Sequence, residues 1–478
     1  MIIDIDSVLY TQGFIKEDEL FRRMFTANAL IFAYREKFKS SPAKGVDRIN
    51  GFQYSTRSEK ELELVSEKCL NETFRFSPFL EKLKLKGRDK APRIIGIPTI
   101  RDRVILHQLH RFLALVFPKT VQRDVASTYV RSVAKEMIEL EGSDTWICCT
   151  DIEKFYDSIQ HDRLIKLLKK QINCKKAISL IAHALHTPTV PQNARRINYS
   201  DFKQEKGVPQ GLAISNILAA IYMVDVDTHM RSIAGLTYYR YVDDVLMYGD
   251  PKVIESAYES VRRRLSRRGL TLHGRTSPKT YIGPIDRRFS YLGYDFKLPK
   301  ITVRDETFER FLRAIAAKVS DFKHNYAKRL EKHKYLNQER LVDIFFLELN
   351  EKITGAISGN KRYGWMAYFN QITDEKLLHQ MDRAVASMIA RVPLLTAKGE
   401  PPLKTLARSH YELKFNPRGG YIRDYDLNIS VAQKLRFLDA RGRVDPDVPL
   451  TDAQIIERYE RYVKFVLAKM HADEGEIY

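Results

Sequence analysis

The chain has 478 residues, 44% hydrophobic and 29% charged, enough for several domains with ordinary cores. It carries 80 Lys and Arg against 60 Asp and Glu, a formal +20, which points to a polyanionic partner, nucleic acid before an anionic membrane surface. Cys69, Cys148, Cys149 and Cys174 form no CxxC pair, and no His clusters with them, which argues against a zinc site or a disulfide framework. The acidic N-terminus lacks a signal-peptide n-region and no apolar run is long enough for a membrane span, so a cytoplasmic protein with no membrane partner is expected.

In chain order, residues 14–38 have helical periodicity and end in the breaker cluster "KSSPAKGVDRING". Residues 81–120 are basic, with ten Lys and Arg (Lys82, Lys84, Lys86, Arg88, Lys90, Arg93, Arg101, Arg103, Arg111, Lys119) against Glu81, Asp89 and Asp102. Within them "PRIIGIP" reads as a strand and "IRDRVILHQLHRFLALVF" as an amphipathic helix. "TWICCTDIEKFYDSI" is a strand running into a turn, followed by the helix "HDRLIKLLKKQI". "KGVPQGLAISNILAAIYMVDVDTHM" is a Gly/Pro-marked loop opening a long apolar helix. "LTYYRYVDDVLMYGD" reads as strand–turn–strand, and "PKVIESAYESVRRRLSRRG" as a helix whose arginines form its wet face, with nucleic-acid binding as the alternative. "LTLHGRTSPKTYIG" and "FSYLGYDFKL" read as short strands. From about Arg304 to Arg391 the pattern is helical. The break "VPLLTAKGEPPL" then sets off a segment with a loop, "NPRGGYIRDYD", and a last helix, "TDAQIIERYERYVKFVLAKM", whose Thr-Asp start suits an N-cap.

The informative carboxylates fall at predicted strand ends. Asp151 follows the apolar "WICC" and a threonine; Asp243 and Asp244 sit at a hairpin tip between apolar arms. Adjacent buried carboxylates repel one another, so a metal, a basic side chain or water should stand beside them; a solvated turn is the alternative, against which the apolar arms count. If the two strands are neighbours in an antiparallel sheet, Asp151 and Asp243 can face each other. That pair suits two Mg²⁺ ions about 3.5–4 Å apart, which activate an attacking oxygen and stabilise a leaving one in an in-line displacement.

"YVDD" resembles the metal-binding motif of reverse transcriptases, and "CCTDIEKFYDSI" their first carboxylate motif. "GVPQGLAISNILAAIYM" resembles their nucleotide-contacting loop and helix, and "PRIIGIPTIRDRVILHQL" the basic fingers motifs of the bacterial branch. "GLTLHGRTSPKT" and "FSYLGYDF" match the two motifs that follow the aspartates. The series runs in family order over about residues 90–297. "KGVDRI" and "LNEKITGAISGNKRYGWMAYFN" extend the resemblance less specifically, and residues 392–478 match nothing recognisable.

The resemblance implies an α+β right-hand polymerase: an N-terminal helical extension and start of the fingers (1–80), fingers and palm with an antiparallel sheet backed by helices (81–300), a helical thumb (301–391) and a mainly helical C-terminal extension (392–478). It implies that Asp151, Asp243 and Asp244, with the Ile152 carbonyl, hold two Mg²⁺ ions, for which Mn²⁺ can substitute. Tyr156 falls at an aromatic steric gate that disfavours a 2′-OH and so selects dNTPs; Gln210 and Gly211 would back nucleotide and template. Arg93, Arg103 and Arg101 compete to grip the triphosphate, a task suited to the planar guanidinium fork. Lys279 would neutralise or protonate pyrophosphate. Tyr291, Leu292, Gly293 and Tyr294 would hold the primer, and the basic "KHNYAKRLEKHK" the duplex. For Tyr156 and the aromatics of Tyr291–Tyr294, ordinary core packing is the alternative.

Lacking a Cys/His nuclease and the retron signatures, the sequence is most similar by elimination to the unclassified and abortive-infection group, including defence-associated enzymes. The expected activity is RNA-directed DNA polymerase on an RNA template, a dedicated non-coding RNA in anti-phage defence, with dNTPs as substrate and DNA as product. Template-independent or protein-primed synthesis, a retron or group II intron-derived enzyme, and an inactive RNA-binding scaffold are the alternatives. A homo-oligomer or a protein partner is left open.

Overall fold

The apolar runs flanking "VDD" and the run "WICC" meet in an antiparallel sheet of the first of two compact units, residues 1–123 and 145–283. The computed structural model describes residues 5–84, 91–120, 126–397, 399 and 402–474; Lys86, Arg88, Asp89 and Lys90 of the basic stretch lie outside them. The strand order is Leu236–Tyr241, Asp244–Gly249, Trp146–Glu153, Thr271–Leu272, and Tyr281–Pro284 also pairs with Trp146–Glu153. Ile147, Cys148, Val245, Leu246 and Met247 are buried in it.

Two helices back the sheet. Ser215–Arg231 is apolar from Ile217 to Val224 and mostly buried. Pro251–Arg267 is started by Asp250, whose carboxylate accepts from the Lys252 amide at 2.9 Å, with proline at the first helical turn. Its buried stripe, Ile254, Ala257, Tyr258, Val261 and Leu265, follows helical spacing. Arg262 and Arg263 stand exposed on the other side, Arg262 paired with Glu259.

In the same unit Phe79–Lys84 and Arg93–Ile97 form an antiparallel pair, joined in parallel by Thr189–Val190. The helix Ile100–Val116 follows, capped by the Thr99 hydroxyl.

The second unit comprises residues 124–144 and 284–478. Phe289–Tyr291, Tyr294–Lys297 and Lys300–Val303 form an antiparallel sheet. The long helices are Asp305–Lys332, Gln338–Thr354 and Glu375–Ala390. The continuous helical pattern expected from Arg304 to Arg391 is interrupted: Ala356–Ser358 and Lys361–Tyr363 make a hairpin. Gly359 and Asn360 turn it with φ of +56° and +60°, a pairing suited to a tight hairpin turn. Gly355 at its base admits no side chain, since a Cβ would meet the Tyr363 carbonyl oxygen at 2.3 Å. Trp365 is buried against Phe311 and Phe369, with ring centroids 4.8 and 4.9 Å away.

Within this unit the C-terminal segment is fastened by a buried cation. Arg441 pairs with Glu351 of the Gln338–Thr354 helix and lies 3.7 Å from the Phe437 ring centre. The last helix, Asp452–Asp473, starts at Thr451 in a capping box with Gln454, as the Thr-Asp start predicts. Among the described residues no helix is long and apolar enough to cross a membrane.

Candidate active site

The strand Trp146–Glu153 brings Asp151 to the sheet's end, where it pairs in register with Asp244. The sequence suggests Asp151 opposite Asp243; the register is one residue different because Val242 and Asp243 form the tip of the turn. Asp243 is still drawn to Asp151 through the backbone, as the Ile152 amide donates to the Asp243 carbonyl at 3.0 Å. Val242 is buried and has φ of +55°, a left-handed conformation costly for a β-branched residue.

The carboxylates form a negative cluster that the Lys279 ammonium offsets in part. Burial first, then Asp151 and Asp244, push the Asp243 carboxyl up to about 8. One Asp151 oxygen, Oδ1, is buried without a hydrogen-bond partner among the described residues, and the other contacts the ammonium of Lys279. Lys279 is therefore brought to the carboxylates. Among the described residues no three His, Cys, Asp or Glu form a self-contained metal cage. Mg²⁺ needs none, since it is held through one or two carboxylates while keeping water and substrate phosphates. An orphaned carboxylate oxygen beside a repelled carboxyl fits that requirement.

Immediately after Glu153 the chain turns through Lys154 (φ +44°) into the short helix Phe155–Ser158, which carries Tyr156. The Tyr156 hydroxyl donates to Asn216 Oδ1 at 2.8 Å. Burial and the nearby Asp243 charge raise its pKa, so the phenol stays neutral. Tyr156 is half-buried rather than enclosed in the core.

The loop before Ser215 is sewn to this turn. Val208 N–H donates to the Tyr156 carbonyl at 2.8 Å, and Gly207 N–H to the Ile159 carbonyl at 2.7 Å. Ser215 Oγ closes the loop on the Pro209 carbonyl at 2.6 Å. Gly96 N–H donates to the Gln210 carbonyl at 2.8 Å, pinning the loop on the Arg93–Ile97 strand. Gly211 has φ of +101°, and a Cβ there would meet Ile95 Cγ2 at 2.7 Å and the Gly96 carbonyl oxygen at 2.9 Å. Gly211→Ala is expected to cost at least about 2 kcal/mol, from backbone strain and overpacking together, measured by denaturant unfolding.

The three arginines separate. Arg93 acts electrostatically on Tyr156, and its Nε is buried without a partner among the described residues. Arg101 is committed to the fully buried Asp102 at 2.7 Å and donates to Ser77 Oγ and the Arg75 carbonyl, so its fork is largely spent on structure. Arg103 donates to Ser41 Oγ at 3.0 Å. Tyr291–Tyr294 belong to the second unit. Their tyrosine rings are buried, Leu292 and Gly293 make a turn with φ of +48° and +83°, and Tyr368 donates to the Leu292 carbonyl at 3.2 Å.

Sequence reasoning missed the support of the carboxylate turn. Asp227, on the Ser215–Arg231 helix, accepts from Arg240 Nε at 2.8 Å and Nη2 at 2.5 Å, and from the Tyr238 hydroxyl at 2.9 Å. Arg240 Nη1 then donates to the Val242 carbonyl at 2.6 Å. Both charged side chains are 9% exposed. The available signal was a pair of opposite charges in otherwise apolar elements, "MVDVD" and "YYRYV".

Residues 84–296 match the family described as reverse transcriptase (RNA-dependent DNA polymerase). The group II intron-encoded protein LtrA of Lactococcus lactis subsp. cremoris is 26% identical over 227 residues, covering 44% of this chain and 35% of that protein. An uncharacterized 91 kDa protein in the cob intron of Schizosaccharomyces pombe is 29% identical over 217 residues, covering 44% of this chain and 26% of that one. The chain thus spans roughly a third or less of the length of these relatives. Among solved structures, apo telomerase from Candida tropicalis aligns with a TM-score of 0.42 at 12% identity, covering 83% of this chain and 66% of that chain.

Proposed function

Residues 84–296 carry a reverse transcriptase domain, and on that premise we propose that the protein is an RNA-directed DNA polymerase extending a primer 3′-OH with dNTPs. The observation that carries this reading is the convergence of Asp151, Asp243 and Asp244 with Lys279 beside Tyr156. In this reading Asp151 and Asp243, with Asp244 alongside and the Ile152 carbonyl assisting, hold Mg²⁺. Bound there, Mg²⁺ supplies Lewis-acid stabilisation of the charge that develops on the transferred phosphoryl group.

The protein's own groups do the rest. Lys279 sits where its ammonium exchanges a carboxylate partner for a phosphate oxygen and can give a proton to the leaving pyrophosphate. Arg93, with its unsatisfied Nε, is the first choice to grip the triphosphate, ahead of Arg103 and the committed Arg101. The pinned loop at Gln210–Gly211 backs the nucleotide. Tyr156, fixed by Asn216, occupies the space a ribose 2′-OH would need. For Tyr291–Tyr294 the proposal narrows to the backbone of the Leu292–Gly293 turn, because the tyrosine rings are core.

The direct test is incorporation of dNTPs on a primed RNA template with Mg²⁺, compared with a DNA template and with EDTA. No Mg²⁺-dependent synthesis on RNA would sink the reading. Tyr156→Val should relax sugar selection by about 10-fold or more, equivalent to removing about 1–2 kcal/mol of steric exclusion; an unaltered dNTP/rNTP ratio would remove Tyr156 from the gate.

The finer part of the proposal, a dedicated non-coding RNA template used in phage defence, rests on sequence resemblance by elimination. Sequencing the RNA and DNA that co-purify with the protein, with and without phage, tests it: a homogeneous structured RNA with its cDNA is expected. DNA linked to the protein and copied from no cellular template would favour protein-primed synthesis instead.

A further inference from the structure

His161 opens the helix His161–Gln171 and is only 3% exposed, a buried imidazole outside the carboxylate cluster. Its Nε2 lies 2.6 Å from the carbonyl oxygen of Gly207, in the loop that leads to Pro209–Gly211. A carbonyl only accepts, so Nε2 carries the proton. Burial lowers the His161 pKa against the opposing pull of that carbonyl, so the ring is neutral and Nδ1 is an acceptor. Nδ1 is buried with no hydrogen-bond partner among the described residues. The His186 ring stands edge-on at 5.0 Å, but its own Nδ1 faces the Ala182 carbonyl at 2.8 Å. An apolar ring would fill the same space without stranding a polar atom. What the imidazole adds is one donor, aimed at one carbonyl.

That carbonyl belongs to the residue where the loop lies closest on the Tyr156 turn. Gly207 has φ of +94°, and a Cβ there would meet the Asp157 carbonyl oxygen at 3.2 Å and its Cα at 3.3 Å. Lys206 bridges to Gln160, and Gln210 Nε2 donates to Asp157 Oδ1 at 3.4 Å. The backbone contacts along this path are open to almost any sequence. The His161 donor is not, and it fixes the upstream end of the loop.

We propose that His161 is a positioning residue, whose Nε2–H holds the Gly207 carbonyl and so sets the stand of the Pro209–Gly211 loop against the Tyr156 turn. The consequence for nucleotide binding rests on the polymerase reading; the consequence for the loop does not.

The test uses the full chain and compares His161→Phe, which keeps a ring without a donor, with His161→Gln, whose Nε2 is the same number of bonds from the backbone. In His161→Phe, amide exchange over residues 205–211 should quicken by about 3-fold or more, while the Trp146–Glu153 and Asp244–Gly249 strands keep their rates. The same variant should raise the KM for dNTP by about 3-fold or more with kcat within about 2-fold, the pattern of lost uniform binding. His161→Gln should restore both readouts. Unchanged loop exchange in His161→Phe would overturn the proposal, and so would strand exchange that quickens as much as the loop, which would make His161 a core residue. Failure of His161→Gln to restore either readout would overturn it too, as would faster loop exchange with an unaltered KM. A wild type that incorporates no dNTP would overturn the polymerase reading instead, and loop exchange would still decide what His161 holds.

Discussion

Asp243→Asn should lower dNTP incorporation by about 10³-fold or more while leaving the fold intact. The loss corresponds to about 4 kcal/mol of transition-state stabilisation, the scale expected when a ligand to the phosphoryl-transfer metal is removed. The same substitution should stabilise the metal-free protein by about 1 kcal/mol, since a neutral amide removes the cost, from burial first and then from Asp151 and Asp244, of placing an acid there. Primer extension and denaturant unfolding in EDTA measure the two effects, and their opposite directions are diagnostic. A loss of activity accompanied by a loss of stability would mean that Asp243 is structural. Full activity would exclude it from the reaction.

The second large effect is at Arg240. Arg240→Met leaves the Asp227 carboxylate buried with only the Tyr238 hydroxyl of its observed donors, and should cost about 3–5 kcal/mol. It also strips the donor from the Val242 carbonyl, so the turn carrying Asp243 loses its hold. The double variant Asp227→Leu, Arg240→Met separates these consequences. Stability should largely return, because no charge is left unpaired, but activity should remain depressed by about 10-fold or more, because the carbonyl contact is still missing. Activity that recovers together with stability would reduce Arg240 to a packing role. Unfolding midpoints and primer-extension rates, read side by side, decide between the two.

Much of the first unit was legible in the sequence. Its central strands are continuous apolar runs, its backing helix shows the stripe from Ile254 to Leu265, and its glycine loop is marked by Pro209 and Gly211. The register at the carboxylates was not. A hairpin tip with a left-handed residue is ordinarily announced by Gly or Asn, and "YVDD" offers Val242 instead. What holds valine there is the carbonyl contact from Arg240, two residues earlier, with Arg240 itself fixed by Asp227 on the Ser215–Arg231 helix, and no turn signature announces that combination. The hairpin at 356–363 was overlooked although "GN" announces it, because the flanking helical periodicity dominates the window. The three fingers arginines look equivalent in sequence. Only their partners separate them, since Asp102 is fully buried and requires Arg101.

The Ser215–Arg231 helix grips two things at once. Near its start Asn216 fixes the Tyr156 hydroxyl; near its end Asp227 holds the arginine that clamps the carboxylate turn. The holding points are 11 residues apart, about 16 Å along one rod. If Tyr156 and the carboxylate turn have the roles proposed for them, sugar selection and phosphoryl transfer share a single ruler. A shift of the rod along its axis would move Tyr156 and the turn together, so on the proposed roles accuracy and speed are expected to change together when this helix slides.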